Sequence, residues 1–384
     1  PHLVGLPALI IDGRPVEYDR TMKTVSLPDR IATAALALML VLPFANPIHT
    51  APIPSFYSEW LAAALALAVI AATLAATILR KTSLAVPSIA ALPLLLAATT
   101  LAHALAGHAA HPRQAMLVAA YMLLAAAMMI AGRSMATSMP FEQRAPLLAR
   151  YLMAGSLLQC LVLALQTTGI GVPWLVFLPA PGAAATGSLG QANHLADYLW
   201  LGIVSAIYLM ARRGRVSLAG CVPVLVIAVS STFPASRSVM LYPLALALLA
   251  LLAWHTGRAA LWRHVTLIVI GMLPLMLAVN SMSPAAGSAA KTASTPSLSE
   301  RLAATGSDGI RTSLYQVAFE KALERPLVGH GVGAAPWATF QRADTWPRNT
   351  RPAIAENIHN VGLQWLLEYG VPLAALALAL VLGW

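Results

Sequence analysis

Four short polar clusters stand out in an otherwise apolar chain, and each contains a side chain able to move a proton or hold an anion. In ENIHNVGLQWLLEYG (356 to 370), His359 and Asn360 open an apolar run, and Glu368 follows nine residues after the histidine. An imidazole takes up a proton near neutral pH, which makes His359 the better general base of the two. Helix rise puts Glu368 about 13 Å deeper, and a carboxylate inside an apolar run is a functional candidate unless it is protonated or paired within the bundle. Ser236-Arg237-Ser238 forms the second cluster, and Arg311, with Tyr315 four residues on and Lys321 beyond, the third. A guanidinium grips phosphate oxygens in a bidentate fork and stays charged in any environment. A snorkelling boundary arginine and a solvated helix face explain the same residues without a ligand. In GSLGQANHLA (187 to 196), Gln191, Asn193 and His194 could donate and accept hydrogen bonds without carrying charge into a membrane. Helix capping by Asn193 after a turn at Gly190 is the plainer account.

Other patterns carry less. His103, His108 and His111 lie close in sequence, but no carboxylate accompanies them and their spacing matches no metal motif. GHGVG (329 to 333) resembles a phosphate cradle yet does not join a strand to a helix, and it reads as a turn. No Asp-x-Asp pair occurs in the expected outer loops, so phosphate chemistry is expected to rest on arginine, without metal or cofactor. Cys160 and Cys221 fall inside apolar runs and read as packing residues.

The elements that must position these clusters follow from composition. Of 384 residues, 59% are hydrophobic and only 10% charged, against about 25% charged in soluble domains. About ten apolar runs approach the roughly 20 residues that span a bilayer: 31–45, 60–79, 84–106, 114–132, 147–168, 194–211, 216–232, 238–255, 264–281 and 359–384. The expected fold is therefore an all-α polytopic integral membrane protein. The net charge of +10 comes from short basic clusters between the runs, where the positive-inside bias would put them, rather than from a nucleic-acid surface. Lys23, Arg30, Arg80, Lys81, Arg133, Arg144, Arg212, Arg213, Arg215, Arg258 and Arg263 fall in alternate connections, against Arg113 and Arg237 in the others. That asymmetry puts the N-terminus in the cytoplasm and all four polar clusters on the outer side.

One long hydrophilic segment, 282–358, is then expected outside the cytoplasm, opening on a Ser/Ala/Pro-rich stretch and containing a helix from Ile310 to Glu324, capped by Asp308 and stopped by Pro326. In that helix Ile310, Leu314, Val317 and Leu323 mark the apolar spacing. Residues 1–21 do not resemble a signal peptide and read as an upstream or non-native segment, with Met22 as the start. The chain ends inside an apolar run at Trp384, so sequence beyond it is expected.

In this order and topology, the clusters resemble those of bacterial protein O-oligosaccharyltransferases, the pilin-glycosylation ligases of the PglL type, within the O-antigen ligase and polymerase superfamily. PFANPIHTAPIPSFYSEWLA (43 to 62), which contains Glu59, is similar to the family's early outer-loop signature. GxLGQxNHxAxYL (187 to 199) resembles the protein-ligase branch, whereas Ser236-Arg237, Pro-x-x-Gly-x-Gly-x-Gly from Pro326 and HNxxLQxxxExG (359 to 370) resemble the wider superfamily. The resemblance implies a GT-C-like glycosyltransferase architecture in the bacterial inner membrane, with its active site facing the periplasm. It also implies an undecaprenyl-diphosphate-linked oligosaccharide donor and a periplasmic acceptor protein or lipid A core. By the same resemblance, Arg237 and Arg311 would bind the diphosphate, His359 would activate the acceptor hydroxyl and Gln191 would contact donor or acceptor. Asn193, His194, Asn360, Glu368, Glu59 and Tyr315 would support them. A reading from another class is a transporter or lipid-carrier flippase using Asp197 and Glu368 as a coupling pair, but transport sites lie at the bilayer midplane and these polar residues crowd one side.

Overall fold

The computed structural model describes residues 10–11, 14–15, 26–48, 56–233 apart from 110, 173–174, 179–184 and 214–216, then 239, 241–255, parts of 265–276, 308–341, 355 and 358–384. Eleven α-helices are described: α1 Leu27–Met39, α2 Phe56–Arg80, α3 Ala91–Leu105, α4 Pro112–Ser138, α5 Phe141–Thr167, α6 Ala192–Arg212, α7 Leu218–Ser230, α8 Leu241–His255, α9 Asp308–Glu324, α10 Ala334–Gln341 and α11 Val361–Gly383. The strand content described is a two-residue antiparallel pair, Ile10–Ile11 with Arg14–Pro15. The protein is an all-α polytopic membrane protein: seven stretches among the described residues are long and apolar enough to cross a membrane, with two shorter apolar helices at Ala219–Ser230 and Tyr242–Leu252. Seven of the ten expected runs correspond to these long helices, those at 216–232 and 238–255 contain the two shorter ones, and the run at 264–281 is described only in part.

Local chemistry sets the helix ends. Ser26 caps α1 by accepting the Asp29 N–H, with Pro28 in the first turn, so this helix begins before the expected residue 31. It gives way after Met39 to a 3-10 turn at Leu42–Ala45, whose Pro43 has no N–H to continue an α-helix. Ser217 caps α7 in the same manner as Ser26. Arg80 pairs with Asp29 at 2.7 Å, Ser138 donates to the same carboxylate, and buried Arg144 donates to the Met139 carbonyl at 2.8 Å. Two of the cations counted for orientation therefore also tie α1, α2, α4 and α5 together at one end.

The helices pack through small residues where backbones approach. A side chain at Gly202 of α6 would meet Ser156 of α5, and one at Gly155 would meet the Tyr198 hydroxyl. Leu195, Leu199 and Ile203, four residues apart on α6, are fully buried in the largest apolar cluster, which joins α5 to α8. A second cluster joins α1, α2 and α4 through Ala32, Val69, Ala131 and Met135. Val317 and Ala318 of α9, Ala334, Ala335 and Ala338 of α10, Ile358, and Leu367 of α11 form a third. The helix expected from Ile310 starts at Asp308, so the residue expected to cap it is its first. Its inward face also differs from expectation: Ala318, Lys321 and Ala322 are buried, whereas Leu323 is exposed. Lys321 can be buried because it pairs with Glu324 at 2.8 Å and lies over the Trp337 ring.

Candidate functional site

The histidine stands just before the last described helix, and that helix is broken. Gly370 has φ +78° and ψ +174°, a backbone region that essentially requires glycine. Two helical pieces meet there, and Pro372 stands in the first turn of the second, where its missing N–H costs nothing. The break frees carbonyls that a continuous helix would use, and the glycine turn after α9 takes them. His330 N–H donates to the Leu367 carbonyl at 2.8 Å, and Gly331 N–H donates to that of Glu368 at 2.9 Å. In return Val371 N–H donates to the Pro326 carbonyl at 2.7 Å. A Cβ at Gly329 would sit 2.5 Å from the Glu368 backbone, and one at Gly370 would sit 2.7 Å from that of Leu327. Hence GHGVG is a turn, as expected, and its glycines serve close approach to α11.

Glu368 is 7% exposed and belongs to the same junction. Its carboxylate accepts the Gly333 N–H at 3.1 Å and the Gln364 amide at 2.6 Å. The other end of Gln364 accepts the Ile358 N–H at 2.8 Å. One amide thereby links the carboxylate to the residue immediately before His359. His359 itself is exposed and has a left-handed backbone, φ +57°, a region uncommon outside glycine and costing about 1–3 kcal/mol when the surroundings must impose it. Asn360 caps α11 by accepting the Leu363 N–H at 3.2 Å. The Tyr315 hydroxyl donates to the His359 carbonyl at 3.4 Å, bringing α9 against the bend. Arg311 lies on α9 one turn before Tyr315; its side chain, like the whole of Arg237, is outside the described residues.

A second polar group forms at the head of α6. Gly190 has φ +70°, the expected turn, but the N-cap position is Gln191 rather than Asn193, and Gln191 makes no side-chain cap. Asn193 is the second residue of the helix, because the extended backbone at Gln191 already ends the turn. Gln191, Asn193 and His194 are all exposed at this end. The preceding loop is held by two buried glutamines of α5 that sequence reasoning overlooked. Gln159 accepts the Ser188 N–H and donates to the Phe44 carbonyl, both at 2.8 Å. Gln166 accepts the Gly187 N–H at 2.9 Å and donates to the Gly187 and Phe177 carbonyls. Their signal was legible in principle: two amides seven residues apart share a helix face and recur inside an apolar run. Through Gln159, and through Tyr198, whose hydroxyl donates to the Leu40 carbonyl at 2.6 Å, the turn containing Pro43 meets the loop containing Gly190.

The remaining candidates have other partners. Glu59 accepts the Tyr121 hydroxyl at 2.6 Å, linking α2 to α4. Asp197 of α6 accepts from Tyr242 of α8, so it and Glu368 are each engaged by neighbours of their own. His103 and His108 have ring centroids 6.3 Å apart, and among the described residues no group of three His, Cys, Asp or Glu is placed to hold a metal ion.

Fold and site together define a polytopic helical membrane protein with an exposed histidine at the head of a broken span. Residues 222–378 match the family model described as O-antigen ligase, a stretch that contains Arg237, Arg311, Tyr315, His359 and Glu368 and omits Gln191. The match supports the ligase and polymerase superfamily. No curated protein and no solved structure matches the chain.

Proposed function

We propose that the protein transfers a preassembled oligosaccharide from an undecaprenyl-diphosphate carrier to Ser or Thr hydroxyls of exported proteins such as pilin, at the periplasmic face of the inner membrane. The observation that carries this reading is His359: a titratable side chain exposed on a left-handed bend, braced by Asn360, Gln364 and Tyr315, within the stretch that matches O-antigen ligases. Strain kept at such a bend marks a position that the surroundings over-determine.

In the reaction the acceptor oxygen bonds to the anomeric carbon, the bond from that carbon to the diphosphate oxygen breaks, and the hydroxyl proton passes to the His359 imidazole. The electron pair of the broken bond leaves on the carrier diphosphate. Arg237 and Arg311 would stabilise that departing charge more than the bound donor, which is what lowers a barrier. The donor is already activated, so neither nucleotide nor metal is called for.

Co-expression with a lipid-linked glycan and a pilin in a ligase-deficient Gram-negative host tests the reading. Protease-sensitive glycan that requires the unmutated chain is the expected result. His359→Ala should lower turnover by about a hundredfold or more, the usual contribution of a general base. Arg237→Ala and Arg311→Ala should each cause strong losses, and chelator none; full activity in either arginine variant removes the clamp. The match to a family described as O-antigen ligase supports a second reading, an O-antigen ligase acting on lipid A core or an O-antigen polymerase; protease-resistant glycan on that core would select the ligase, and glycan lengthened on its carrier the polymerase.

A further inference from the structure

We propose that the end of α9 and the turn after it are set into the outer leaflet of the bilayer, with Phe319, Leu323, Leu327 and Val328 against lipid acyl chains. The turn is bonded along α11 rather than above it. Its partners Leu367 to Val371 lie six to ten residues after Val361, which is about 9–15 Å along the helix. The turn has neighbours on α3 as well: the His103 ring meets the Val328 backbone, and Val332 packs in one apolar cluster with Leu96 of α3 and Tyr369 of α11. The later part of the turn rises to the mouth of the bundle, where Gly331 approaches the His108 carbonyl beyond the end of α3 and Gly333 approaches Gln114 in the first turn of α4.

The exposed face of α9 changes character along its length. Thr312 and Gln316 occupy it in the first half; Phe319 and Leu323 continue it in the second, 51% and 59% exposed, followed by Leu327 at 72% and Val328 at 51%. A helix wholly in water would gain nothing from that gradient, whereas one entering lipid by its C-terminal end would bury the apolar half. The spans to which the turn is bound also expose apolar residues, Leu101 and Leu105 on α3 and Val371 on α11. Non-helical backbone is tolerated at that depth only where protein supplies its hydrogen bonds, and here α11 supplies them. Glu324 is paired with Lys321, and Arg325 has a stem long enough to carry its guanidinium to the headgroups.

The inference rests on the membrane reading and is independent of glycan transfer. Single nitroxides at Phe319→Cys, Leu327→Cys and Gln316→Cys, in full-length protein otherwise free of cysteine and reconstituted in phospholipid nanodiscs, would be compared by collision with oxygen and with a water-soluble nickel chelate. Labels at 319 and 327 should collide more with oxygen, and that at 316 more with nickel. Preference for nickel at all three positions would place the face in water and overturn the proposal. Weak collision with both reagents at 319 and 327 would mean that protein covers the patch, and would overturn it equally. Val328→Cys provides a second label on the turn if Leu327→Cys does not fold.

Discussion

The Gln364 amide accepts the Ile358 N–H and donates to Glu368, so truncating it leaves a backbone donor and a buried carboxylate short of partners at once. Gln364→Ala should therefore cost about 1–3 kcal/mol of stability, read as a lowered midpoint in a detergent melt, and should lower kcat more than it raises KM if the amide positions His359. An unchanged kcat would show that the bend survives without it. Chemistry alone singled out His359 and Glu368 in the sequence, because residue type announces a proton carrier. Gln364 could not be singled out that way: a glutamine near a helix start is ordinary, and its role exists only because the break at Gly370 brings Gly333 to the same carboxylate. Gln159 and Gln166 differ in that their shared helix face was legible, but their partners were not, because those backbone groups lie 11 to 115 residues away in the chain.

At the scale of the element, the turn Pro326–Gly333 and the broken α11 form one unit joined by reciprocal backbone bonds. Gly370→Ala would place a Cβ 2.7 Å from the Leu327 backbone and force an L-residue to φ +78°. The backbone conformation alone costs about 1–3 kcal/mol, and the clash adds to it, so the variant should melt lower than Gly362→Ala on the same helix, where the nearest atom is a side-chain oxygen at 3.5 Å. Equal melting of the two would mean that the turn does not dock. Apolar runs made the spans legible, since bilayer thickness and helix rise fix their length. The break was less so: Gly370 and Pro372 stand in plain view, but hydrophobicity runs through them, and periodicity cannot register a backbone that changes direction while its side chains stay apolar. Nor could spacing reveal that Lys321 turns inward, because its burial depends on Glu324 and Trp337 together.

For the whole molecule, everything proposed about the donor depends on which side the heads of α6 and α11 face. Their proposed outward orientation rests on the eleven-to-two division of Lys and Arg between alternate connections. Some of that signal has a structural explanation: Arg80 is ion-paired to Asp29, and Arg144 is spent on carbonyls at the end of α4. Lys81 and Arg133 remain on the same side as those two, and Thr82 lies exposed in the same connection as Lys81, whereas His111 is exposed at the opposite end of α4. Cysteines at Thr82 and His111 should thus differ in spheroplasts treated with a membrane-impermeant maleimide: His111→Cys labels at once, Thr82→Cys only after lysis. The reverse pattern would turn the heads of α6 and α11 toward the cytoplasm, where exported proteins and lipid A core are not acceptors for a carrier-borne glycan at the outer face. It would leave the fold untouched while removing the periplasmic transfer reaction, and it would move the lipid contact of Leu327 to the inner leaflet.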